Sequence, residues 1–209
     1  MKFKKAAMFG LDARIALAIF GTLGVISSAS LYNAIAESKA ESFVSQLREV
    51  VKASQQFHFD NRTYLPILDK SIDKLQTRLF FDDNFDARKT WNGPYLDLRG
   101  TSTMPKNILT DYISTSSVYG VFLAKESDWH PTGFLSSNKC VIGDADCSEW
   151  VGIVTNSSSY QTKGRALFDM LDDYVDNGDG EKTGNVRYNS QFYGVVMYKG
   201  ITRKKFSDG

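Results

Sequence analysis

Ile15 to Tyr32, IALAIFGTLGVISSASLY, is the stretch on which the reading of this chain turns. It carries no charge over ~18 residues, about the length of helix that crosses the hydrocarbon core of a bilayer. The stretch before it, MKFKKAAMFGLDAR, is basic and polar. From Asn33 to about Phe59 there is no Pro or Gly, and the sequence turns amphipathic instead of stopping. Phe43, Leu47, Val50, Val51, Ser54 and Phe57 recur at steps of three and four, which places them on one stripe of a helix. Glu37, Lys39, Glu41, Arg48, Glu49 and Lys52 largely occupy the other faces. One helix from about Asp12 to Phe59 would be ~70 Å long at ~1.5 Å per residue. That exceeds a single bilayer crossing, so the second half is expected to pack on a globular head of its own. Gly21 and Gly24, inside the apolar half, either permit close helix packing or a bend, or are simply tolerated in lipid.

Composition bounds the remainder. The 209 residues allow one membrane segment and one domain large enough to bury a core. A net charge of +1 removes any global electrostatic steering toward nucleic acid. An aromatic content of 13% argues against a disordered tail.

The N-terminus fits three readings. As an uncleaved anchor, Lys2, Lys4, Lys5 and Arg14 hold the start in the cytoplasm and send everything after Tyr32 to the far side. As a secretory signal, it would be cut after Ala34-Ile35-Ala36, a small-x-small pattern, although the apolar run is long for a signal core and helix-forming sequence continues through the cut. As a short leader, it ends at Gly10, Leu11 becomes the first mature residue, and the apolar helix is kept.

Downstream, Pro66 forbids continuation of the helix, so the chain leaves it between Asn61 and Pro66. Ser71 to Phe81 reads as a short second helix, with Ile72, Leu75 and Leu79 on one face. Phe81 to Arg99 reads as loop, punctuated by Gly93-Pro94. Strand-like runs follow at Ser117–Ala124, Trp150–Thr155 and Phe192–Tyr198, with a helix at about Lys163–Tyr174 between the last two. The expected class is α+β, a long N-terminal helix packed on a small antiparallel sheet.

These features together resemble a type IV prepilin or a type II secretion pseudopilin: a basic leader ending in Gly10, an apolar helix starting at once, and an amphipathic continuation. FHFDNRTYLP, Phe57 to Pro66, is similar to the segment by which major pseudopilins leave their long helix. TWNGPYLD, Thr90 to Asp97, resembles the turn that follows, and LDDYVDNGDGEKTGNVR, Leu171 to Arg187, resembles their acidic, glycine-rich C-terminal segment. The resemblance implies a leader at 1–10, a helix at 11–59 and an α+β head at 60–209. It implies a structural role without catalysis: cleavage between Gly10 and Leu11 by a prepilin peptidase, then assembly with copies of itself and related pilins on an inner-membrane platform. The head would stand in the periplasm, and the lipid bilayer would store the subunit. One departure stands out. The fifth mature position is Ile15, where most members carry the Glu thought to meet a neighbour's terminal amine. Asp12 either neutralises that amine from another position or lies with Arg14 in the headgroup layer, or else the subunit sits at a filament tip where no neighbour above needs the pairing. A single-pass or secreted periplasmic domain that does not polymerise is the alternative function.

Cys140 and Cys147 bracket a hairpin-sized loop, and an extracytoplasmic location favours a disulfide between them. Two thiols at that spacing, without a second Cys or His pair nearby, suit zinc poorly. Asp172, Asp173, Asp176, Asn177, Asp179 and Glu181 gather hard oxygen ligands around Gly178 and Gly180. They read either as a calcium loop, which the resemblance supports, or as a solvated turn capped by Gly178. Asp82, Asp83 and Asp86 read as exposed loop. His58 and His130 are far apart and stand in no nucleophile or metal pattern, and there is no Gly-x-Ser-x-Gly elbow or phosphate loop. Arg203, Lys204 and Lys205 read as a solvated tail, with phosphate contact in a DNA-uptake filament as the sharper alternative.

Overall fold

The computed structural model describes residues 6–69, 74–75, 77–80, 90–96, 118–127, 129, 140, 143–154, 158–190 and 194–203. Helix α1 spans Ala6–Asn61 without interruption, beginning earlier than the sequence pattern placed it. The chain divides into two compact units, Met1–Lys39 and Ala40–Gly209.

In the first unit α1 is exposed throughout its apolar half, including Leu17, Phe20, Leu23 and Val25. Its hydroxyls turn back on their own helix: Thr22 Oγ1 donates to the Ile19 carbonyl (2.9 Å) and Ser28 Oγ to the Gly24 carbonyl (2.7 Å). Such back-bonding satisfies hydroxyls without a partner helix or water, as a span in hydrocarbon requires.

In the second unit α1 buries Ala40, Phe43, Val44, Leu47, Val50, Ala53, Ser54 and Phe57. These match the expected stripe, with Val51 at its margin, half-buried. The helix ends where Arg62 takes a left-handed backbone (φ 55°), and Pro66 follows in extended chain. Trp91 to Tyr95 then braces this exit. Trp91 Nε1 donates to the Leu79 carbonyl (2.8 Å), Tyr95 packs edge-on against Phe57 (5.8 Å), and Asn61 Nδ2 donates to the Tyr95 hydroxyl (3.3 Å). Gly93-Pro94 is a cis peptide. A Cβ on Gly93 would lie 2.4 Å from the Trp91 ring, so the tight turn under that indole needs glycine.

The sheet has six strands: β1 (Ile67–Asp69), β2 (Lys74–Leu75), β3 (Val118–Lys125), β4 (Cys147–Val154), β5 (Val186–Asn189) and β6 (Val195–Thr202). Their order is β1-β2-β3-β4-β6-β5, every pairing antiparallel. Helix α2, Ser158–Asp176, precedes β5. The architecture is α+β, as expected. The helix expected at Ser71–Phe81 is not formed over its described residues. Lys74–Leu75 is strand and Thr77–Phe80 is a 3-10 turn. Leu75 pairs with Ile67 and Lys74 with Phe122, so ladder bonds to neighbouring strands override a weak local helical pattern.

Alternation along the strands makes two apolar layers. Val121, Leu123, Val151, Ile153, Val196 and Tyr198 join the stripe of α1 and Leu167, Phe168 and Leu171 of α2 in the main core. Phe122, Ala124, Trp129, Trp150, Val195 and Met197 form a second cluster. The period of two in β3, β4 and β6 sends consecutive residues to opposite faces.

Candidate functional site

Among the described residues, buried polar groups gather most tellingly at an ion pair and at an acidic loop. Glu149, on the helix-facing side of β4, and Arg203, just past β6, are both almost fully buried. Arg203 Nε and Nη2 donate to Glu149 Oε1 (3.0 and 2.8 Å), and Nη2 also donates to the Leu65 carbonyl (3.1 Å). Ser54 of α1 donates to Glu149 Oε2. The guanidinium lies over the Tyr64 ring at 4.6 Å, and the Arg203 amide donates to the Cys147 carbonyl (2.8 Å). The solvated-tail reading of Arg203 is therefore corrected. Burial beside a carboxylate, not solvent, holds this cation, and it ties the end of β6 to α1 and to the chain leaving it. Lys204 and Lys205 lie outside the described residues. Charge count along the chain does not reveal such a pair; its partner is 54 positions away.

The second place is the acidic loop after α2. Asn177 (φ 58°) and Gly178 (φ 73°) both turn left-handed, and the Gly178 amide donates to the Asp172 carbonyl (3.2 Å), which stops the helix. The chain folds back so that carboxylate oxygens of Asp172, Asp176 and Asp179 all lie within 4.8 Å of one another. Gly184 (φ 72°) makes this closure possible: a Cβ there would sit 2.6 Å from the Asp176 carboxylate and 2.8 Å from Asp179 Oδ1. Asp176 is heavily engaged, accepting from the Asn185 and Val186 amides (2.7 Å each) and from Asn185 Nδ2 (2.9 Å). Asp173 is exposed and is not one of the converging three. Glu181 pairs with Arg165, which also holds Asp169 (2.9 Å).

Asp172 is the telling member. It is 5% exposed, its Oδ2 accepts from the Gly180 amide (3.1 Å), and its Oδ1 has no hydrogen-bond partner. Burial pushes its carboxyl above the usual carboxylate range, the Gly180 amide opposes this, and the charges of Asp179 and Asp176 add to the rise. Among the described residues no Lys or Arg forms an ion pair with any of the three. Glu126 shows the contrast. Burial opposes its ionisation too, but bonds from Lys199 (2.6 Å), Ser148 and Thr202 outweigh it and hold the carboxyl below its usual range.

The other sequence-selected residues are placed as follows. Cys140 and Cys147 form a disulfide with both residues buried. Gly10, Asp12 and Ile15 are exposed on α1, Leu11 belongs to the same helix, and a Cβ on Gly10, Gly21 or Gly24 would meet nothing within 4 Å. His58 stacks on Tyr64 at 4.1 Å. His130, Asp82, Asp83 and Asp86 lie outside the described residues. Sequence reasoning missed Arg187, which is almost fully buried in β5, stacked over Trp129 (5.1 Å) and Trp150 (4.8 Å), and donating to the Gly184 and Glu126 carbonyls.

One helix, α1, is long and apolar enough to cross a membrane, and its most apolar window buries nothing. No protein-family model, curated protein or solved structure significantly matches the chain.

Proposed function

We propose that this chain is a prepilin-like subunit of a type IV pilus or type II secretion pseudopilus, working by assembly and not by chemistry. The observation that carries the reading is the contrast within α1: one uninterrupted helix whose apolar first half is exposed and whose second half is buried along one stripe. A subunit held in a bilayer and then drawn into a filament needs that layout. Lipid covers the greasy half in storage, and equivalent helices cover it after assembly.

The basic start stays in the cytoplasm and the head stands in the periplasm, and a prepilin peptidase cuts after Gly10, making Leu11 the mature start. The apolar surface then packs against copies of the chain and related pilins on the inner-membrane platform. Asp12 answers the new amine in place of the acid missing at Ile15, which keeps an uncompensated ammonium out of the bundle. Ile15 is also the observation that favours the second reading, a single-pass anchored head that does not polymerise. DNA contact has lost its best residue, since Arg203 is buried.

Calcium belongs to this proposal. Asp172, Asp176 and Asp179 would hold the ion, and an unpartnered buried oxygen on Asp172 is what a hard cation would satisfy. The ion supplies positive charge at the point where the three carboxylates converge.

Gly10→Ala tests the main reading. It should leave the leader attached and exclude the subunit from filaments, read by intact mass and by filament purification; normal processing of the variant contradicts the assignment.

A further inference from the structure

β5 ends the strand order, so among the described residues one of its edges has no strand beside it. An open edge is a template for strand addition. In an antiparallel pair, alternate residues turn both backbone groups outward. Here those residues are Val186 and Tyr188, because the Lys199 amide bonds the intervening register at Asn185 (2.7 Å). Both outward amides are already taken by the acidic loop. Val186 N donates to Asp176 Oδ2 (2.7 Å), and Tyr188 N donates to the Glu181 carbonyl (3.2 Å). The Tyr188 carbonyl accepts from Trp129 Nε1 (3.3 Å). The loop is thus a cover laid along the edge, and Asp176, which takes the Val186 amide, is also one of the three converging carboxylates.

We propose that the acidic loop is a metal-latched cover of the β5 edge, an inference that rests on the calcium reading above. With a divalent cation among Asp172, Asp176 and Asp179, their repulsion is neutralised and Asp176 stays against Val186. Without the cation, the repulsion among three crowded carboxylates, which Arg187 offsets only in part, loosens the loop, and the amides of Val186 and Tyr188 meet water. The latch keeps heads from joining edge to edge while they are crowded together.

The test is amide hydrogen exchange on the full chain in detergent micelles, with calcium chloride or with chelator. Calcium should slow exchange at Val186 and Tyr188 at least tenfold while leaving Val151 in β4 unchanged. Asp172→Asn should abolish that difference. Asp176→Ala should leave both amides fast in either buffer, with Val151 still protected. Equal protection of Val186 and Tyr188 in Asp176→Ala and wild type overturns the cover. If that variant also loses protection at Val151, the Asp172→Asn arm decides: a calcium effect that survives it overturns the latch. A calcium-induced rise in melting temperature without any change at the two amides sinks the latch but leaves calcium binding standing. No melting shift and no amide change removes the calcium reading itself.

Discussion

The two halves of α1 have the same backbone and opposite surroundings. Leu23 is 56% exposed and Leu47 is 1% exposed, in one helix with no break between them. From Ile15 to Tyr32 the first half carries no charge on any face; the second is apolar on one stripe only. Helix formation is a local matter, set by the absence of Pro and by good helix formers, and it does not report what covers the surface. The pattern around the axis does. A stripe implies one partner face, here the sheet and α2, whereas an all-round apolar surface implies a medium or a ring of neighbours.

That contrast can be broken by mutation. The largest loss of head stability is expected at the clasp that anchors the packed half: Arg203→Met leaves Glu149 buried without its cation and should cost about 3–5 kcal/mol. Chemical denaturation of the full chain in micelles measures it. Replacing both partners by apolar residues should recover much of the loss, since no charge is then stranded. Next, Leu47→Ala should cost about 3 kcal/mol through lost burial and the cavity left behind. Leu23→Ala, the same deletion in the uncovered half, should leave head unfolding unchanged and reduce recovery in filaments. Equal effects of the two on head stability would dissolve the distinction between halves.

The smallest effect concerns the acidic loop. Because folding raises the Asp172 carboxyl above its ordinary range, the folded state holds that proton more tightly than the unfolded chain. In chelator, Asp172 therefore costs stability at neutral pH, and the cost fades as pH falls through its raised range toward the usual carboxylate value. The difference between wild type and Asp172→Asn isolates this from Glu126, whose lowered carboxyl works in the opposite sense. Calcium should reverse the sign for wild type, stabilising most at neutral pH and less on acidification as protons compete for the site.

Much of this was legible in the chain itself. The apolar run and the three longest strands are local runs of composition, and the stripe from Phe43 to Phe57 and α2 are periodic features; both kinds of signal survive without tertiary knowledge. The Cys140–Cys147 bridge follows from two thiols at hairpin spacing in an extracytoplasmic reading. What was not legible depends on distant partners. Leu75 looked helical because its apolar neighbours fit a helix face, yet pairing with Ile67 decides its state. Arg203 looked like a tail because nothing near it in sequence announces Glu149. Within the acidic loop composition pointed to four aspartates, but only the fold-back at Gly184 selects Asp172, Asp176 and Asp179 and leaves Asp173 aside.

The exposed half of α1 is proposed as an assembly spine that a cut after Gly10 makes ready for a filament. Intact mass of the protein extracted from membranes tests it most directly. The mature chain should begin at Leu11; a chain that keeps residues 1–10, or one that begins at Glu37, rules the assembly spine out.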